Sequence, residues 1–475
     1  MQLLNRSWAV FVLFTAQLVG TFAQGINPNG WENTRLSREL DLQYTFTVDT
    51  FELTIKNIAD KPLSQYYITI PHELMGQLST LTAALSSKED IFLNCYLFNG
   101  TSTLEDGTKL GYGVIELPSP VLPGKEIEII AKVFYNVAGR PYPAKINIGD
   151  TQHLYFTTNR LPLSSYATVE SSLIVNTRSK VEEDNRPEDE SLQGVFNEDT
   201  KVLEFGPWSD IKPNTVSELN LVYKHITALK EVVNLQRDIW ISHWASTIQF
   251  EEYYEMTNKG AALNGGFDRL AYMKQSQLVQ LGMIPWIQVL EMELPSQASE
   301  HFCTDKVGMV STTEVIDDSL FVKPRYPVFG GWFYNFTIGW TNSLSQFARN
   351  YDNDDETFLL AVPVLNGPVD TVYDHVSVSI YLPEGTQIVE ADSPVSYNSM
   401  SLTQEHSYFD MNEGHLKLTF EFDNLFTSIG KADLLIKYKY SKAALYKKPL
   451  SIAVYCFTAL MAFFIIRCLN FNVNK

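Results

Sequence analysis

The chain has 475 residues, with 36 lysines and arginines against 55 aspartates and glutamates, for a formal net charge of −19. So acidic a protein is a poor candidate for nucleic acid or anionic lipid surfaces, whose phosphates it would repel. Hydrophobic residues at 45% and aromatics at 13% are the composition of a folded chain, long enough for two or three domains.

At the N-terminus Arg6 supplies a positive region, and Trp8 to Val19 is apolar apart from Thr15 and Gln17. Thr21-Phe22-Ala23 then offers small residues where signal peptidase requires them, so residues 1–23 are expected to be a cleaved signal peptide. An uncleaved signal anchor is the alternative, against which the short apolar stretch argues.

Strand signals dominate from there. Leu40 to Ile58, Glu126 to Tyr135, Val202 to Phe205, Leu219 to Tyr223, Ile239 to Tyr254, Val376 to Leu382 and Leu416 to Phe422 are β-branched and aromatic or alternate apolar with polar. The best helical candidate is Phe267 to Leu281. Glu182 to Glu190 reads as a solvated acidic loop. Val202-Leu203-Glu204-Phe205 and Leu219 to Lys224 are echoed, 215 residues on, by His415 to Phe420 and Leu434 to Lys439. The echo suggests two β-rich domains related by duplication, at 24–228 and 231–441, with chance likeness of alternating strands as the alternative. The fold class is mainly β.

Near the C-terminus, Leu450 to Ile466 carries no charge over 17 residues. At about 1.5 Å per residue it covers about 25 Å, and Arg467 can snorkel so that the span extends to Leu469. A transmembrane helix over 450–469 is expected, with 470–475 as a cytosolic stub; a buried core helix is the alternative. The signal peptide would place the β-rich part in the lumen, as type I topology. Lys442, Lys447 and Lys448 run mildly against the positive-inside rule, which large translocated domains tolerate.

Of four cysteines, Cys456 and Cys468 fall in the apolar segment. Cys95 and Cys303 could pair, although their spacing gives no support for it. Two sequons, Asn99-Gly100-Thr101 and Asn335-Phe336-Thr337, are candidate glycosylation sites; Asn5-Arg6-Ser7 lies in the signal peptide.

Signatures of catalysis fail. His72-Glu73-Leu74-Met75-Gly76 places glycine where a zinc-protease helix needs its second histidine. Gly111-Tyr112-Gly113 lacks the third glycine of a dinucleotide loop, and no phosphate loop, Cys-x-x-Cys or nucleophile elbow occurs. Asp352 to Glu356 could offer oxygens to calcium but reads better as a surface loop. His243, between Ser242 and Trp244 on an expected strand, reads as structural. A carboxylate pair for glycoside cleavage stays open, because spatial pairing is invisible in sequence. Trp240, Trp244, Phe250, Tyr253 and Tyr254, with Phe329, Trp332, Phe333, Tyr334 and Trp340, could form a sugar- or peptide-binding surface, or a core with an interface. No cofactor and no metal is expected.

Several segments carry a family resemblance: Trp31-Glu32-Asn33, Thr158 to Ser164, Glu204-Phe205-Gly206-Pro207-Trp208, Val233 to Trp240, Ser242 to Tyr254, Phe329-Gly330-Gly331-Trp332 and Lys448 to Ala453. Together they resemble ribophorin I, most of all its fungal members, from Trp31 into the membrane segment. The resemblance implies a non-catalytic subunit of oligosaccharyltransferase, which transfers a preassembled glycan from dolichyl pyrophosphate to Asn in Asn-x-Ser/Thr. Its implied partners are the multi-spanning catalytic subunit with a Trp-Trp-Asp-Tyr-Gly motif and other subunits, with nascent polypeptide as a further candidate. The implied location is the endoplasmic reticulum membrane. Rival readings are a cell-surface adhesion or receptor ectodomain and a membrane-anchored glycosidase.

Overall fold

The computed structural model describes residues 30–468, apart from 105–106, 276–278, 280–281, 352–353 and 407–413. The expected signal peptide and the expected stub at 470–475 lie outside these residues.

Two eight-stranded sheets organise the chain, one from each half. The first runs Val195–Asn197, Val202–Ile211, Ala167–Asn176, Trp31–Asp41, Thr47–Asn57, Glu126–Tyr135, Leu78–Leu85, Lys88–Phe92. The second, from its opposite edge, runs Ser399–Glu405, His415–Phe426, Thr371–Leu382, Lys230–Ser242, Thr247–Asn258, Phe333–Ser343, Ser299–Asp305, Gly308–Met309. Read this way, the two share one strand order in space and along the chain. In both, a single parallel pair sits at the centre, Trp31–Asp41 with Ala167–Asn176 and Lys230–Ser242 with Thr371–Leu382.

Each half adds a four-stranded and a three-stranded sheet, again in matching order. His153–Asn159 pairs with Glu218–Lys224 as Asp354–Pro363 pairs with Asp433–Lys439. Leu63–Pro71, Lys109–Val121 and Cys95–Thr103 correspond to Leu290–Glu293, Ser319–Val322 and Thr313–Ile316. The register then aligns particular residues. Arg38 lies beside Leu173 and Leu173 beside Phe205; Arg237 lies beside Val378 and Val378 beside Phe420.

The smaller sheets pack on the large ones because strands such as Thr47–Asn57 alternate buried with half-exposed side chains. In the first half, Leu53, Ile55, Ile129 and Ala131 meet Tyr66, Ile68 and Ile115 of the three-stranded sheet. Leu173, Val175, Leu203 and Phe205 meet Leu154, Phe156, Leu221 and Tyr223 of the four-stranded one.

The halves are joined by more than a linker. Phe426 of the second half sits between Phe46 and Phe134 of the first, at ring centroid distances of 4.7 and 4.8 Å. The Asn136 amide donates to the carbonyl of Tyr373 at 2.9 Å, and that of Asn424 to the carbonyl of Gly76 at 3.1 Å. Lys145–Ile146 and Ala262–Leu263 form a two-stranded parallel sheet with one strand from each half.

Several expectations need correction. Leu40 to Ile58 and Ile239 to Tyr254 each cover parts of two strands, divided by a turn. In the second, Ser246 takes a left-handed φ of 55° within a turn from His243 that carries neither glycine nor proline. Of the helix expected over Phe267 to Leu281, only Arg269–Met273 is helical among the described residues of that segment up to Gln275, capped by Asp268. Its apolar residues Leu270 and Met273 are 65% and 63% exposed. Glu183, placed in a solvated loop, forms a buried ion pair with Arg160.

Lys442–Cys468 is one helix of 27 residues, about 40 Å long, and apolar enough to cross a membrane. From Leu450 to Ile466 its side chains are half- to fully exposed on every face, as a span surrounded by hydrocarbon requires. Its first turn is different: Ala444 and Leu445 pack against the core of the second half.

Candidate functional site

Of the two readings of the aromatic cluster, the structure favours the core over a binding surface. Phe250 stacks on Trp340 at 5.0 Å and Tyr254 on Phe336 at 4.9 Å, all inside the core. Phe329 is buried against Trp286 beneath Phe267 and Tyr272. The two well-exposed members are Trp244 at 76% and Phe333 at 60%. Trp244 lies in the turn before Thr247, whereas Phe333 pairs with Thr257 at the far end of the same strand. That is ten residues, or about 33 Å, away.

Other candidates settle into structural roles. His243 sits in the turn after Lys230–Ser242 rather than on a strand, stacked on Tyr440, with its Nε2 2.7 Å from the Tyr438 hydroxyl. Burial pushes its pKa down to about 4. His72 and Glu73 belong to a four-residue helix and are exposed. Asp354 accepts from the Glu356 amide at 3.0 Å and the Thr357 hydroxyl at 2.7 Å; Asp352 and Asn353 lie outside the described residues. Among the described residues no group of three or more His, Cys, Asp or Glu side chains could hold a metal. Cys95 and Cys303 are free thiols in different halves.

Of the sequon asparagines, Asn99 lies on the strand Cys95–Thr103. Asn335 lies on Phe333–Ser343, half-buried, and its amide donates to the Tyr253 hydroxyl at 3.0 Å.

Three concave surfaces escaped the sequence. A cleft of about 630 Å³ separates the halves. In it Glu231, almost wholly buried, meets Lys259 at 2.9 Å, and His375 meets Asp423 at 2.6 Å. Burial holds the Glu231 carboxyl above the usual range, and the neighbouring Asp374 charge adds to the effect. A cavity of about 470 Å³ in the first half has Arg38 and Asp49 in its wall. There Arg38 Nε and Nη2 donate to the two Asp49 oxygens at 2.8 Å each, and Nη1 to the Asn159 carbonyl at 2.7 Å. A groove of about 450 Å³ lies where the second half meets the C-terminal helix. Each joins residues more than a hundred positions apart, a proximity that no local pattern encodes.

The chain has recognisable relatives. The family model described as Ribophorin I matches residues 31–467. Subunit 1A of the dolichyl-diphosphooligosaccharide–protein glycosyltransferase of Arabidopsis thaliana is 26% identical over 88% of this chain and 67% of its own. Subunit 1 of Schizosaccharomyces pombe is 25% identical over 88% of this chain and 90% of its own. Subunit 1 of Caenorhabditis elegans is 23% identical over 98% and 76%. Among solved structures, an M1 zinc metallopeptidase from Deinococcus radiodurans overlaps 44% of this chain and 42% of its own, at 9% identity and a TM-score of 0.26. So loose an overlap carries no functional argument.

Proposed function

Because this chain belongs to the ribophorin I family, we propose that it is a non-catalytic subunit of the oligosaccharyltransferase complex of the endoplasmic reticulum membrane. The complex transfers a preassembled glycan from dolichyl diphosphate to asparagine in protein N-glycosylation. The observation that carries the reading is the extent of the match, from the first described strand to the end of the membrane helix, with relatives named as subunit 1 of that transferase. The relatives do not favour the adhesion or receptor reading.

The finer assignments rest on chemistry. The chain contributes architecture, as its relatives' naming as subunit 1 supports, while a multi-spanning partner performs transfer. The helix from Leu450 packs against that partner, and two duplicated domains, 24–228 and 231–441, stand on its luminal side. Duplication accounts for the shared strand order of the three sheet types. Asn99 and Asn335 are themselves glycosylated. For Asn335, in the interior of a sheet, the modification precedes folding; a glycosylated amide keeps one N–H for Tyr253.

A mild-detergent pulldown, with mass spectrometry of partners and a transfer assay on the eluate, tests this. Recovery of a multi-spanning subunit bearing Trp-Trp-Asp-Tyr-Gly, with transfer activity that the isolated chain lacks, is expected. Recovery of the chain alone, under conditions that keep other membrane complexes intact, would overturn it.

A further inference from the structure

The groove at the foot of the second half lies at a defined depth. Its walls are the turn carrying Trp244, the segment around Glu384, and one face of the helix from Ala444 to Ile452. Those eight steps rise about 12 Å. The polar zone of a bilayer leaflet is about 5–8 Å thick. Since the uncharged run begins at Leu450, the groove spans the headgroup layer and enters the hydrocarbon.

Its chemistry is graded in the same direction. At the headgroup level, Lys447 Nζ lies 3.5 Å from a carboxylate oxygen of Glu384, so opposite charges stand side by side in the groove wall. Below Lys447, toward the hydrocarbon, Pro449 and Ile452 offer apolar surface. Trp244, 76% exposed on the rim, is a side chain of the kind that settles at bilayer interfaces, and its ring can face a quaternary ammonium.

We propose that this groove holds one zwitterionic glycerophospholipid of the surrounding bilayer. Its phosphate faces Lys447, its ammonium faces Glu384 and Trp244, and one acyl chain lies along Pro449 and Ile452. The paired charges match a headgroup carrying both signs. An anionic lipid would leave Glu384 opposed and would meet a protein of net charge −19. The inference rests on Lys442–Cys468 crossing the membrane.

The test uses the intact complex in nanodiscs with phosphatidylcholine bearing a photoreactive diazirine, in the headgroup or in the acyl chain, and adducts mapped by mass spectrometry. The headgroup probe is expected to label peptides around 242–247 and 444–449 several-fold more than a phosphatidylserine probe does. Trp244→Ala and Lys447→Glu should each lower that labelling several-fold, and Lys447→Glu with Glu384→Lys should restore it. Acyl-probe labelling around Leu460 should stay constant throughout, reporting an intact span. Groove labelling indifferent to these variants, equal labelling by phosphatidylserine, or a sister subunit crosslinking to Trp244 in place of lipid would overturn the proposal. Absence of acyl adducts along 450–466 would instead overturn the membrane-spanning reading beneath it.

Discussion

Arg38 and Arg237 occupy the same register position in the two halves, yet the carboxylate and the ring that serve them have changed places. Opposite Arg38 stands Phe51, and two residues earlier on the same face is Asp49, which takes the ion pair. Opposite Arg237 stands Glu252, which takes the ion pair at 2.9 Å, and two residues earlier is Phe250, under the guanidinium at 5.4 Å. Side chains two apart on a strand share a face, so either order brings the same chemistry to the same arginine. The surroundings differ: Arg38 lines an open cavity, whereas Arg237 and Glu252 are sealed from solvent.

That difference predicts unequal costs. Arg237→Ala strands the Glu252 carboxylate in the core and should cost about 3–5 kcal/mol. Replacing both partners, as Arg237→Met with Glu252→Leu, should be close to neutral. Arg38→Ala should cost less than Arg237→Ala, because water can reach Asp49 through the cavity. Thermal unfolding of the solubilised protein measures all three; equal losses at Arg38 and Arg237 would contradict the assignment.

Acid should weaken the fold through buried histidine. His225 is almost fully buried, which pushes its pKa down to about 4 from an ordinary 6.5, with Asp370 only partly offsetting the effect. A base held neutral in the folded state contributes fully above pH 6.5 and loses that contribution as pH falls toward 4. With about 1.4 kcal/mol per unit, the loss approaches about 3 kcal/mol. His225→Gln should flatten the stability profile between pH 6.5 and 4; an unchanged slope would assign it to carboxylates instead.

The thiols should be unreactive until the chain unfolds. Burial raises Cys95 to about 11 and Cys303 to about 12, and Cys303 is 2% exposed. Since the thiolate is the nucleophile, alkylation of Cys303 at neutral pH should be negligible in the native protein and complete in denaturant. Reducing and non-reducing gels should show one mobility.

Asn335→Gln should remove one endoglycosidase-sensitive mobility step without loss of assembly. Its strand is held by pairing to Thr247–Asn258 and Ser299–Asp305, and glutamine can still donate near Tyr253. An unchanged gel pattern would mean that this sequon is not used.

Replacing Leu450 to Ile466 by an unrelated apolar helix should leave the protein membrane-bound but outside the complex, as co-purification would show. Intact assembly would remove the docking role from the helix.

The sequence showed what is local and periodic. Glu126–Tyr135 is a strand within its expected bounds, because it is rich in β-branched and aromatic residues. The membrane helix is legible because hydrocarbon demands a long uncharged run. Elsewhere tertiary packing overrode the local signal. Leu270 and Met273 have helical spacing but face solvent, while Tyr272 between them makes the packing contacts. Two strands separated by the turn at Ser242 to Ser246 read as one, since His243 and Trp244 do not look like turn residues. Asp49 and Glu252 were unreadable as partners of arginines, because their pairing depends on register across a sheet.

The two-stranded ladder of Lys145–Ile146 with Ala262–Leu263, and the ring of Phe426 clasped between Phe46 and Phe134, fix the halves at two separate points. A body pinned twice does not open like jaws. The helix is gripped through Ala444 and Leu445 by the second half, so a tilt at the membrane reaches the first half through those two points.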